Sequence, residues 1–182
     1  CHPNIYKKQE IFKQEGWHYE LENKDAELTI NGVVYNEMKG AFSSPDSVLF
    51  RQILHSLFPS NTYGVESGGD PDVIPELTYE DFIAFHKEYY HPSNSYICLY
   101  GNMDAEKHLT YLDEEYLSKY EAIEPNSHIE EEKPFKEMVK SEMLYPIGQD
   151  QTEDNKAYLA YNVVCGKVSD VNLGVTLEIL QD

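Results

Sequence analysis

Positive charge is scarce in this chain: 14 lysines and arginines stand against 33 aspartates and glutamates in 182 residues, a formal net charge of −19. Binding to phosphate backbones needs the opposite field, so nucleic acid is excluded as a partner, and anionic membranes are excluded on the same ground. Long apolar runs are missing too. None approaches the roughly 18 residues a membrane span requires, and no basic region followed by an apolar one marks a secretory signal. The three cysteines, Cys1, Cys98 and Cys165, are far apart and odd in number, which fits neither a disulfide framework nor a C-x-x-C metal site. Cys98 and Cys165 lie in apolar, strand-like runs and are expected as buried small apolar residues in a reducing interior. The sequence also lacks G-x-S-x-G, G-x-x-x-x-G-K-S/T and G-x-G-x-x-G, so neither nucleophilic-serine catalysis nor nucleotide binding finds support.

What is present suffices for a core. Hydrophobic residues make up 41% of the chain and aromatics 13%, with 26% charged. Ile5 to Gln14 reads as a surface helix ended by Gly16, and Trp17–Leu21 meets Glu27–Ile30 across a polar turn as a hairpin. Val33 to Ala41 reads as a helix. Ser44 followed by Pro45 opens another, running to Phe58 before Pro59. Residues 60–75, rich in Gly, Ser, Asp and Pro, form a loop long enough to suspect function. Thr78 caps a helix that ends before His91-Pro92, Tyr96 to Tyr100 is expected as a buried strand, and Asp104 opens a further helix. Strands are expected around Met138–Leu144 and Ala157–Val164, with a last helix from Val171. The acidic surplus is either a wall that attracts basic peptides or an ordinary solvated surface.

A Glu/Pro-rich stretch between Glu121 and Pro134 has few large apolar residues and reads as a linker. Residue 1 is Cys1 and not Met, and the stripe Leu173, Leu177, Leu180 stops without a Gly or Pro terminator, so both ends are expected to be interior to a longer protein.

Three segments carry a family resemblance: Gly32-Val-Val-Tyr-Asn-Glu-Met-Lys-Gly-Ala-Phe42, Thr62-Tyr-Gly-Val-Glu-Ser-Gly-Gly-Asp-Pro71 and His91-Pro-Ser-Asn94. Together they resemble the presequence-protease branch of the insulinase (pitrilysin-like) zinc endopeptidases. Those enzymes hold zinc with an inverted H-x-x-E-H motif on one helix and a glutamate on a later one. The resemblance implies that Glu37 is that third ligand. H-x-x-E-H itself does not occur, so the chain is expected to be an interior piece of a protease, inactive alone and retaining no catalytic residue. Beside this stands the plain reading of Glu37 as a helix-surface carboxylate.

The resemblance further implies an α+β fold in which helices pack on one face of a mixed, mostly antiparallel sheet. It makes residues 1–122 the C-terminal portion of the zinc-bearing domain, 123–133 a linker and 134–182 the start of a second, homologous domain. Gly40 and Ala41, one turn after Glu37, would let a second helix approach closely. Tyr35 and Asn36 are candidates for orienting the Glu37 carboxylate. The Ser67-Gly68-Gly69-Asp70 turn is expected as a sharp reversal beside the substrate cleft. Zinc is the implied cofactor of the parent, and peptides are the implied substrates. The remaining parts of the parent chain are expected partners, and exposed apolar faces predict self-association. A cytoplasmic setting is expected, with an organelle matrix as the alternative. The competing function is that of a non-catalytic structural or peptide-binding homologue.

His86, Glu88 and His91 form a second candidate metal cluster by proximity in sequence. His86 and His91 are five apart and splay by about 140° around a helix, so they share no ligand face. His2, His18, His55, His108 and His128 are dispersed.

Overall fold

The computed structural model describes residues 3–181, so Cys1 and His2 lie outside the described residues. It is α+β and helix-rich: six α-helices accompany one two-stranded antiparallel sheet among the described residues. Contacts divide the chain into two units, one built from residues up to 42 with 66–131, the other from 43–65 with the residues from 132 onward.

In the first unit, helix α1 (Gln9–Glu15) stops where the Gly16 N–H bonds to the Phe12 carbonyl at 2.8 Å. The expected helix from Ile5 is broken, since Asn4–Tyr6 forms only a 3-10 turn. Strands β1 (His18–Glu20) and β2 (Thr29–Asn31) make the predicted hairpin, with Tyr19 opposite Ile30. Helix α2 (Val33–Ala41) follows directly, with the predicted bounds.

Helix α4 (Tyr79–Tyr89) packs on α1 through Phe12, whose ring lies 6.2 Å from that of Tyr79 and 5.4 Å from that of Phe82. The Trp17 indole donates to the Leu77 carbonyl at 2.9 Å, and the Tyr79 hydroxyl donates to the Ile5 carbonyl. Ile74, 4% exposed, is the buried apolar centre of this unit. Helix α5 (Ala105–Glu115) is capped by Asp104, whose carboxylate accepts the Lys107 N–H at 3.1 Å.

In the second unit, helix α3 (Pro45–Leu57) begins at Pro45, and the Ser44 side chain makes no capping bond. Proline's fixed φ starts this helix without the hydroxyl. Phe58 packs on Tyr63 at 5.6 Å, and the Ser60 N–H and hydroxyl both donate to Glu132, at 3.0 and 2.6 Å. Those two bonds hold the Glu132 carboxyl below the usual carboxylate range. The Tyr145 ring meets that of Tyr158 at 5.7 Å. Helix α6 (Val171–Gln181) is capped by Asp170, which accepts the Leu173 N–H at 3.0 Å.

Three expected strands do not form: residues 96–100, 138–144 and 157–164 have no ladder partner among the described residues. Tyr96 and Tyr100 are fully exposed, and so are Leu144 and Leu159. Cys98 and Cys165, expected buried, are exposed for the same reason. Alternation and β-branching favour extended backbone, but a strand exists only when a neighbour takes its N–H and C=O groups.

The N-terminus of α4 yields a pH prediction. The Thr78 hydroxyl accepts the Asp81 N–H, while Asp81 accepts the Thr78 hydroxyl (2.6 Å) and N–H (3.2 Å). The Thr78 hydroxyl first, and its N–H second, lower the Asp81 pKa. A depressed folded value means the stabilisation is present above the unfolded value and is lost as pH falls through the folded one. Thr78→Ala should destabilise by about 1 kcal/mol at neutral pH. Asp81→Asn should lower the melting temperature near pH 7, and its difference from wild type should shrink as pH falls through the lowered Asp81 value. Thermal melts across that range check this, and a pH-independent gap would overturn it.

Candidate functional site

Helix α2 is fixed at its start by a close backbone approach. Gly32, at φ +153°, lies so near the end of α1 that a Cβ there would meet the Gly16 carbonyl oxygen at 2.2 Å and the Trp17 Cα at 2.7 Å. The Tyr35 N–H bonds to the same Gly16 carbonyl at 3.3 Å. Only glycine fits, and it lets the chain turn from β2 straight into the helix.

Asn31 locks this corner. Its carbonyl oxygen accepts the Gly32 N–H at 2.8 Å and the Asn36 side-chain amide at 2.6 Å, and its own amide donates to the Glu20 carboxylate at 2.8 Å. One side chain thus joins β1, the turn and the first turn of α2. Asn36, a candidate for orienting Glu37, directs its amide to Asn31. Tyr35 is half-buried, and the Lys39 ammonium lies 5.5 Å from its ring centroid.

Glu37 lies on the exposed side of α2 with no described hydrogen bond or ion pair on its carboxylate. The next residue, Met38, is half-buried and reaches the loop: a Cβ on Gly68 would sit 2.5 Å from the Met38 sulfur. The structure therefore brings the Ser67–Asp70 turn against the helix that carries Glu37. Gly69, at φ +92°, makes the reversal, and its N–H bonds to the Glu66 carbonyl at 3.1 Å. The Asp70 carboxylate accepts the Asp72 N–H at 2.9 Å and its carbonyl accepts the Ile74 N–H at 2.8 Å, so the turn closes onto the buried Ile74. Ser67 and Gly68 are exposed.

Gly40 has open space around it, with no atom within 4 Å of where a Cβ would lie, so none of the described residues makes the close approach expected there. Sequence reasoning passed over Asn31 and Met38. The Asn-Gly pair before a helix was a readable turn signal; Met38 looked like any apolar helix residue.

His86 and His91 have hydrogen-bond partners of their own. His86 pairs with the Tyr6 hydroxyl at 2.7 Å and stacks on Tyr90 at 4.4 Å, while the His91 ring accepts the Ser93 N–H at 3.2 Å. Among the described residues no three His, Cys, Asp or Glu side chains come together to hold a metal ion. A catalytic metal needs three protein donors and an open position. Glu37 is a single exposed carboxylate on α2, and the described residues supply no complete set of donors.

Comparison with known proteins adds to this geometry. Residues 76–181 match the family described as the peptidase M16 inactive domain. The chain is 53% identical over 179 residues to protein HypA of Clostridium perfringens, covering 98% of this chain and 18% of that protein. It is 48% identical over 153 residues to presequence protease 1, chloroplastic/mitochondrial, of Arabidopsis thaliana, covering 83% and 14%. Against the mitochondrial presequence protease of Drosophila melanogaster the identity is 55% over 112 residues, covering 59% and 11%. The chain thus spans less than a fifth of the length of these relatives.

Two glycines of α2 should respond oppositely to the same change. Gly32→Ala should destabilise by about 2 kcal/mol or more, since backbone must move to admit the methyl. Gly40→Ala, in open space within the helix, should stabilise by about 0.5–1 kcal/mol. Denaturant titration of both variants checks the pair, and equal effects would contradict the described corner.

Proposed function

Because this chain belongs to the family of the peptidase M16 inactive domain, we propose that it is part of a zinc metalloendopeptidase that cleaves peptides within a closed chamber. The observation that carries the proposal is Glu37, presented with a free carboxylate on a helix whose corner is held by Gly32 and Asn31. Glu37 is proposed as one zinc ligand, with the histidine donors and the general base supplied from outside these residues. Zinc in such a site makes a bound water acidic enough to attack a peptide carbonyl near neutral pH. The role left to this chain is to hold one carboxylate in place; Tyr35 and Asn36 support its helix, and the Ser67–Asp70 turn flanks the cleft.

On this reading residues 1–122 complete the zinc-bearing domain, 123–133 link it onward and 134–182 begin a homologous domain. Peptides are the proposed substrates. The presequence proteases compared above carry mitochondrial or chloroplastic names, and an organelle matrix or a bacterial cytoplasm is the proposed setting. No described helix is long and apolar enough to cross a membrane. A second reading, a non-catalytic structural or peptide-binding homologue, draws on the inactive-domain description of residues 76–181. Glu37 lies outside that match and separates the two.

Glu37→Gln in the full-length protein that carries these residues should lower peptide cleavage by at least about 100-fold, together with zinc content, while the melting temperature of the metal-free protein stays the same. The 182-residue chain alone should bind zinc weakly and cleave nothing. Near wild-type turnover in the variant, or tight stoichiometric zinc in the chain alone that survives Glu37→Gln, would remove the ligand assignment.

The exposed apolar segments at 96–100, 138–144 and 157–164 support a further expectation for the chain in isolation. Unpaired extended backbone flanked by large apolar side chains seeks a partner. Light scattering over a concentration series should show self-association, and a strict monomer with a cooperative melt would contradict it.

A further inference from the structure

The geometry points to Asn31 as the positioning residue for Glu37, an inference that rests on the zinc-ligand reading above and adds to it the group that sets the helix's pose. A ligand held to one rigid corner keeps its place only if the corner cannot roll, and α2 is a helix of nine residues with exposed Gly40 and Ala41 at its end. At its start the backbone approach of Gly32 and the Tyr35 N–H bond at 3.3 Å converge on the same Gly16 carbonyl, a single pivot that sets the distance between α2 and the hairpin but by itself leaves freedom of rotation about it. Asn31 removes that freedom through two directions at once. Its carbonyl oxygen holds the Asn36 amide at 2.6 Å, one residue before Glu37, and its amide holds the Glu20 carboxylate on β1 at 2.8 Å. The Gly32 N–H at 2.8 Å fixes the Asn31 side chain itself in the required rotamer.

Both polar atoms of the Asn31 carboxamide are used, which gives the orientation a donor and an acceptor side that cannot be interchanged. The Glu20 carboxylate, acceptor-only when ionised, dictates that the nitrogen of Asn31 faces β1 and the oxygen faces α2. The polarity of this relay, running Glu20 to Asn31 to Asn36, is a property of the pair Glu20 and Asn31 together. Groups that orient a metal ligand in this way typically change metal affinity by about 10- to 100-fold when removed.

The relay makes a reciprocal-exchange test possible in the full-length protein, with zinc retention against a chromophoric chelator as the readout. Asn31→Asp keeps the acceptor toward Gly32 and Asn36 but sets two carboxylates face to face, and zinc retention should fall about tenfold. Adding Glu20→Gln to Asn31→Asp returns a donor to β1 with the polarity reversed, and zinc retention should recover to within about twofold of wild type. The Glu20→Gln change alone should lie between the two. A merely structural role would move the melting temperature of the metal-free protein without this pattern in zinc retention. If Asn31→Asp does not fold, Asn36→Ala, which cuts only the bond from the helix, should give the same tenfold loss. Wild-type zinc retention in Asn31→Asp, failure of Glu20→Gln to restore it, or wild-type retention in Asn36→Ala overturns the inference. Zinc retention unchanged in Glu37→Gln instead overturns the ligand reading itself, so the two failures are distinguishable.

Discussion

The candidate site depends on one steric constraint, the contact between the backbones of Gly32 and Gly16. Because Gly32 has no side chain, the start of α2 can lie against the end of α1, where the Gly16 carbonyl accepts the Tyr35 N–H. Any Cβ at Gly32 would push α2 away from the hairpin, and with it Asn36, Glu37 and Met38. The hairpin register matters for the same reason. His18 lies opposite Asn31 and Glu20 opposite Thr29, which leaves the Glu20 carboxylate within reach of the Asn31 amide.

The helices were legible in the sequence because their signals are local. Val33–Ala41 was readable from its own apolar spacing, and Thr78 announced α4 through a capping box that needs nothing beyond Asp81. The hairpin was legible from two short alternating runs around a polar turn. The segments 96–100, 138–144 and 157–164 were not, because the residues that favour a strand do not supply its neighbour. Ser44 illustrates a smaller limit: a good capping residue stood where the helix begins, yet Pro45 alone starts it. At the site, Glu37 was legible only through resemblance to a family, since an exposed helix carboxylate carries no local signal. Asn31 escaped notice because its importance lies in three partners, of which Glu20 is eleven residues away.

The charge distribution follows a similar division between local and distant effects. Some carboxylates have defined tasks, such as Asp81 and Asp104 at helix starts, Glu132 on Ser60 and Glu20 on Asn31. With 33 acidic residues against 14 lysines and arginines, the carboxylates could not all find a basic partner. Self-repulsion of this kind weakens compaction and favours cationic ligands over long range. The Lys119–Glu115 pair is exposed and contributes little.

The Asn31–Gly32 corner carries a chemical liability with age. In an Asn-Gly sequence the glycine nitrogen can attack the asparagine side-chain carbonyl, releasing ammonia and leaving a cyclic imide that water opens to an acid. At Asn31 that reaction would replace the amide facing Glu20 with a carboxylate and reverse the attraction that seats α2. The same hydrogen bonds that hold the carboxamide also keep it from rotating into the geometry of attack. The corner thus protects itself while folded and becomes vulnerable whenever it opens, so the chain's shelf life is tied to how often this one hairpin breathes.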